Sequence, residues 1–303
     1  MFSVIKTWKI WFTLSGALIA ASIILLFVWG LRPGIDLRGG SLSELEFGAP
    51  QNVGDMRQYL TAAGLRNVVV QPVNDTTLII KTEPLAGQGL EEFNTAIKEK
   101  FGDFKELRFE SIGPAISKEL VRKAYWQIGL VVVGILLYIA YAFRKVSETA
   151  RKSKLSSWRL GLAAIAALIH DLFITMGVFV VLGRYRGVEI DTLFITALLT
   201  ILGFSVHDTI VVFDRIRETL RERQHDPLDS VIDSSINSTL ARSINTSSTL
   251  IFVLIAMLLF GGQTIFNFVL ALLVGVVTGT YSSIFIASPI LFLWVRNKNR
   301  TKI

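Results

Sequence analysis

The chain has 303 residues, of which 51% are hydrophobic and only 18% charged, and it contains no cysteine. Soluble domains carry about 25% charged residues, and here the apolar residues cluster in runs of about 20, the length a bilayer requires. These features exclude a soluble globular protein, a disordered tail, a disulfide-stapled domain and any thiolate-built metal or catalytic site. The formal charge is +7, from 31 Lys and Arg against 24 Asp and Glu, and its meaning depends on where the charges lie.

Apolar runs long enough to span occur at 10–30, 125–143, 160–182, 192–213 and 268–295. A further run, 250–260, has only 11 residues. It spans only if its helix begins near Thr239, which draws Arg242, Asn245, Thr246, Ser247 and Thr249 to membrane depth. The first run follows Lys6 and Lys9, is longer than a signal-peptide core and precedes Leu31-Arg32-Pro33 rather than a small-residue cleavage site, so it reads as a retained anchor.

In a six-span arrangement, Lys6 and Lys9, Arg144 to Lys154, Arg215 to Arg223 and the tail from Arg296 to Lys302 all fall on one side. Positive loops remain in the cytoplasm, so both termini are expected there and the basic excess reflects topology rather than nucleic-acid binding. The other side receives a loop with Arg184 and Arg186, an uncharged loop at 261–267, and a large segment with 11 basic and 13 acidic residues. The expected divisions are 1–30 (cytoplasmic N-terminus and first span), 31–122 (outside domain), 123–295 (spans two to six) and 296–303 (cytoplasmic tail).

Within the outside segment the pattern predicts a strand at 42–47, a helix at 53–63, strands at 67–73 and 76–82, a helix at 90–101 and a strand at 104–111. Asn74-Asp75 is a hairpin-type pair, and Gly64 and Gly102 stop the helices. The order βαββαβ is the ferredoxin-like plan. The predicted fold class is thus a polytopic α-helical membrane protein with six transmembrane helices and an α+β ferredoxin-like extracytoplasmic domain. That domain contains no histidine, and it reads as a binding or docking unit rather than an enzyme.

Ionisable residues inside spans are costly and mark bundle interiors or water paths. Three places stand out: His170-Asp171 in the third span, His207-Asp208 in the fourth and Arg242 at the entry to the fifth. His170 and Asp171 read first as packing contacts between helices and second as members of a proton path. His207 points about 100° from Asp208 on a helix and reads as structural. Asp208 is the functional candidate. An aspartate and an arginine on neighbouring helices neutralise each other, and protonating the aspartate releases the arginine. Arg242 can equally snorkel to the interface. Gly275-x-x-x-Gly279 permits close helix approach. No P-loop, H-E-x-x-H, G-x-S-x-G or G-x-G-x-x-G occurs; no metal or cofactor site is expected, and an ion gradient is the available energy source.

Five stretches resemble the SecF branch of the SecD/SecF protein-export family. They are Gly34-Ile-Asp-Leu-Arg-Gly-Gly40, with Asp36 and Gly39 at its motif positions, Ala167-Leu-Ile-His-Asp171, the run Gly203 to Glu218 containing Val-His207-Asp208-Thr, Leu240-Ala-Arg-Ser-Ile-Asn-Thr-Ser247, and Gly279 to Pro289. They follow the family's order from about residue 30 to 294. His207 departs from the family's usual Asn, and Leu37-Arg38 is more like SecD. The resemblance implies a proton-driven accessory subunit of the resistance–nodulation–division superfamily in the bacterial inner membrane. It also implies pairing with SecD, association with SecYEG, YajC and YidC, and action on unfolded preproteins after ATP-driven insertion. Asp208 would be the proton-linked aspartate and Arg242 its partner, with His207, His170, Asp171, Asn245 and Thr246 as supporting or proton-path residues. A small-solute proton antiporter of the same superfamily and a passive translocon scaffold are the alternative functions.

Overall fold

A computed structural model describes residues 3–144, 156–223 and 225–300. The basic residues Lys145, Arg151, Lys152, Lys154 and Lys302, used above for orientation, lie outside the described residues. Contacts divide the chain into two units, one made of residues 1–32 and 126–303 and the other of residues 33–125.

The helical unit contains α1 (Trp8–Val28) and, after the small unit, most of α5 (Pro114–Ala142), then α6 (Ser157–Arg186), α7 (Thr192–Glu222), α8 (Leu228–Phe260), α9 (Gln263–Ser282), a π turn (Ser283–Ala287) and α10 (Ser288–Arg300). Six helices among the described residues are long and apolar enough to cross a membrane, the sixth running through the π turn. They extend past the predicted spans. Arg215, Arg217 and Arg221 belong to α7 and not to a loop, and α8 begins well before Thr239. Charged residues outside the bilayer lower the hydropathy without ending a helix, so apolar length marks the membrane and not the helix.

Ridges of large side chains meet small residues where the helices cross. α6 approaches α1 at Gly177, where a Cβ would overlap Ser22, and α9 approaches α7 at Gly275 and Gly279, which face Ile201 and Ser205. The glycine pair therefore serves close packing, as its spacing predicts. The π turn has a local cause in Pro289. Proline lacks the N–H that would bond the carbonyl four residues earlier, and its ring crowds that carbonyl. The helix widens by one turn instead, and Ser288 Oγ donates to the Ser283 carbonyl at 3.2 Å. At the N-terminus, Asp233 of α8 accepts from Ser3 Oγ at 2.5 Å and from the Ile5 amide at 3.0 Å, which seats the buried Val4 and Ile5 on the bundle.

The small unit holds α2 (Ile35–Arg38), β1 (Gly40–Phe47), α3 (Val53–Ala62), β2 (Val69–Pro72), β3 (Thr77–Thr82), α4 (Gln88–Phe101) and β4 (Phe104–Ile112). The sheet is antiparallel in the order β2-β3-β1-β4, with a register shift between Glu44 and Leu45. This is the ferredoxin-like arrangement predicted from the alternation of elements. Its core forms where Leu45, Phe47, Leu78 and Ile80 of the sheet meet Met56 and Leu60 of α3 and Phe93 and Ile97 of α4. Asn52 caps α3 by accepting from the amides of Gly54 and Asp55 at 2.7 and 3.3 Å. The β2–β3 connection is not a tight two-residue hairpin: Asn74 Oδ1 accepts from the amides of Thr76 and Thr77, so a side chain shapes the turn.

The Gly39-Gly40 pair solves a packing problem at the start of β1. Gly39 has φ +82° and Gly40 has φ +153°. A Cβ on Gly40 would stand 2.7 Å from the Thr82 carbonyl oxygen and 3.0 Å from Ile35 Cγ2. Gly34 precedes α2, and Asp36 lies in that helix's first turn. The motif after the first span thus builds local backbone geometry. Gly40→Ala is expected to destabilise the small unit by about 1–3 kcal/mol, from backbone strain and overpacking. Limited proteolysis of the full-length protein should then cleave within residues 33–125 at lower protease concentration than in wild type.

Candidate functional site

Among the described residues two carboxylates, Asp171 and Asp208, are buried inside the helical unit, and their surroundings differ. Asp171, near the middle of α6, is fully buried. Its Oδ1 lies 2.9 Å from His170 Nδ1, and its Oδ2 accepts from Ser205 Oγ of α7 at 2.6 Å and Ser282 Oγ of α9 at 2.9 Å. His170 Nε2 lies 3.1 Å from Ser15 Oγ of α1, which lies 3.0 Å from the Tyr281 hydroxyl. The Tyr281 ring stacks on His170 at 5.8 Å. One carboxylate therefore gathers donors from α6, α7 and α9, and through His170 the network reaches α1. An ionised Asp171 accepts from His170 Nδ1, and the contact of Nε2 with Ser15 extends the chain of bonds.

Asp208 lies two turns further along α7 from Ile201 and is 5% exposed. Its Oδ1 accepts from Ser243 Oγ of α8 at 2.8 Å, and its buried Oδ2 has no hydrogen-bond partner among the described residues. Hydroxyl pairs flank the site. Thr209 Oγ1 and Ser283 Oγ are 2.9 Å apart, and Ser247 Oγ and Thr280 Oγ1 are 2.6 Å apart, so α7 and α8 are each linked to the sixth span. An unpaired buried oxygen is rare enough to call for an explanation.

The expected pairing of Asp208 with Arg242 is not formed: no ion pair joins them among the described residues. Adjacent residues on a helix point about 100° apart, and it is Ser243, not Arg242, that α8 turns toward α7. Arg242 is exposed and lines a cleft of about 240 Å³ with Asp214 and Arg217, which are paired with each other at 3.2 Å. Asn245 and Thr246 are also exposed, as is His207, on a face of α7 different from that of the buried Asp208. The structure thus brings Asp171 and His170 together, places Asp208 two residues from the Arg242 cleft lining at Ile210, and leaves His207, Asn245 and Thr246 outside both networks.

Sequence reasoning missed Ser15, Ser205, Ser243, Tyr281 and Ser282. A signal was present: Ser205 is three residues before Asp208, and Ser243 and Ser247 are four apart, so hydroxyls recur at helical spacing within the apolar helices. Serine within an apolar run carries little cost of its own, and that weakens the signal.

The contrast between the two carboxylates is testable. Asp171→Ala strands a buried imidazole and two hydroxyls and should cost about 3–5 kcal/mol. Asp208→Asn keeps the acceptor for Ser243 and changes only the unpartnered atom, so it should alter stability by less than about 1 kcal/mol. Thermal unfolding of both variants in detergent should give a large drop for the first and little change for the second.

Residues 92–297 match the family of protein export membrane proteins SecD/SecF, C-terminal, and residues 24–51 match the SecD/SecF GG motif. The chain is 41% identical to the protein translocase subunit SecF of Thermobaculum terrenum, across 100% of this chain and 96% of that protein. It is 37% identical to that of Synechocystis, across 87% and 82%. Among solved structures it is similar to SecDF, a translocon-associated membrane protein from Thermus thermophilus, at 32% identity and a TM-score of 0.83. It is also similar to SecDF in its super-membrane-facing form, at 30% identity and 0.71. The matches cover 99% of this chain but only 39% and 40% of the SecDF chains, so the chain spans about two fifths of their length. With six membrane-spanning helices, a ferredoxin-like unit and matches along its whole length, the chain belongs to the SecD/SecF family of protein export membrane proteins.

Proposed function

We propose that the chain pairs with a SecD subunit in the bacterial inner membrane and uses the proton-motive force to assist translocation of preproteins after their ATP-driven insertion. Its family membership supports the pairing, since the solved SecDF chains hold both halves in one polypeptide more than twice as long. By the same resemblance the wider partners are SecYEG, YajC and YidC, the protein acts without a cofactor, and it catalyses no covalent reaction. Both termini lie in the cytoplasm, and the small unit at residues 33–125 lies outside, where it contacts the emerging chain.

The observation that carries the proton step is the bare Oδ2 of Asp208, buried between hydroxyl-bearing helices at a membrane-spanning position. A carboxylate with one hydrogen bond and no cation is expensive to hold charged inside a bundle. Proton arrival and departure at Asp208 therefore change what the neighbouring helices must supply. In the neutral state Ser243 suffices. In the charged state the carboxylate draws on Arg242, one residue along α8, which requires α8 to turn or slide against α7. Protonation thereby biases the spans between two arrangements, and the small unit moves in response. His170 and Asp171, with bonds to three other helices, hold the fixed side of the bundle against which α8 moves.

The test is a pulse-chase of a secreted protein in cells depleted of their own SecF and supplied with this chain or its Asp208→Asn variant at equal membrane levels. Late-stage export should recover only with the wild type, and an uncoupler should remove that recovery. Equal rescue by both would make the protein a scaffold that stabilises the translocon, with Asp208 a packing residue.

A further inference from the structure

Where α1 ends, two arginines face one cavity, and neither side chain has a polar partner among the described residues. Arg32 is held in place from two directions. Its carbonyl accepts from the Ile190 amide at 2.8 Å, which ties the chain after α1 to the connection between α6 and α7. Its side-chain stem lies along Gly183 of α6, where a Cβ would come within 3.5 Å of Arg32 Cγ and 3.6 Å of Cδ. The next residue on α6 is Arg184, and the two arginines line a cavity of about 230 Å³ together with Val28, Trp29 and Gly30. Neither makes an ion pair or side-chain hydrogen bond among the described residues.

The surroundings define what such a pair can bind. The Trp29 and Tyr185 rings meet edge-on at 5.8 Å and 90° beside the cavity, and such amphipathic rings sit at the headgroup level of a bilayer. Toward the membrane, Ile24, Phe27 and Val28 of α1 are 59%, 89% and 68% exposed, an apolar surface running directly from the cavity. A guanidinium presents a planar fork of donors that matches phosphate oxygens. Two of them above an apolar strip, at the depth of an aromatic belt, suit a molecule with a phosphate head and hydrocarbon tails. Arginines that only reached for water would not need the stem of one packed on the glycine preceding the other.

We propose that Arg32 and Arg184 bind the headgroup phosphate of an anionic phospholipid, with its acyl chains along Ile24, Phe27 and Val28. An anionic headgroup is favoured over a choline headgroup because choline brings its own cation to a site that already holds two. This inference concerns the α1–α6 seam and stands apart from the proton step at Asp208.

The test is native mass spectrometry of the delipidated full-length protein titrated with phosphatidylglycerol or phosphatidylcholine. Wild type should hold one phosphatidylglycerol about tenfold more tightly than the R32Q/R184Q variant, the scale of losing charge-assisted hydrogen bonds, and should show no such difference for phosphatidylcholine. Because the Arg32 stem is part of the packing, Arg184→Gln alone is the second variant. It should lose most of the preference while its thermal midpoint stays at the wild-type value. Retention of phosphatidylglycerol by Arg184→Gln at wild-type affinity would overturn the site. Displacement of the lipid by millimolar inorganic phosphate would overturn it as well, since the ligand would then be a free anion.

Discussion

A carboxylate shut away from water must find its donors within the protein, and for Asp171 those donors sit on three different segments of the chain. Ser205, Ser282 and His170 each contribute a bond, and His170 passes the connection to Ser15 on the first span. Apolar helices in lipid gain little from hydrophobic association, because acyl chains solvate leucine as well as leucine does. What gives the bundle one arrangement rather than many is the geometry these polar bonds demand, together with the close approaches at Gly177, Gly275 and Gly279. The remaining helices are placed relative to that frame.

Asp208 occupies the opposite situation. It too is buried, here on α7, yet one hydroxyl is all it receives among the described residues, and the arginine beside that serine on α8 lines a separate cleft. A fully satisfied network resists change, because every rearrangement breaks several bonds at once. A partly satisfied one leaves an interaction to be gained elsewhere. The two carboxylates therefore differ in how many donors each was given, and that number, not the carboxylate itself, sets how firmly each ties its helices together.

Much of this architecture was legible in the sequence. Hydropathy gave the six spans because lipid imposes a length on them, and the alternation of apolar residues gave βαββαβ because one face of the sheet must be covered. Asp208 stood out because charge is rare in an apolar run. What could not be read were features that depend on rotation about a helix axis. Whether Arg242 or Ser243 meets Asp208 turns on about 100° of α8, which the Ser247–Thr280 contact and the neighbouring packing decide. The four-residue α2 is too short to show a period. The polar extensions of α7 and α8 beyond the apolar runs were read as loops because their amphipathic faces look polar when averaged along the chain.

The π turn at Ser283–Ala287 has a consequence for how the last span is assembled. A turn with an extra residue separates the phase of the helix before it from the phase of the helix after it. Upstream, the phase is locked by Gly275 and Gly279 against α7 and by Ser282 on Asp171. Downstream, it is locked by Leu291 and Val295, both buried in the main core. A continuous α-helix could satisfy one set but would rotate the other by about 100°, turning either the serine or the apolar seam toward lipid. The single proline at 289 acts as a coupling between two rods cut to different angles, and it lets one span answer to the carboxylate at one end and to the core at the other.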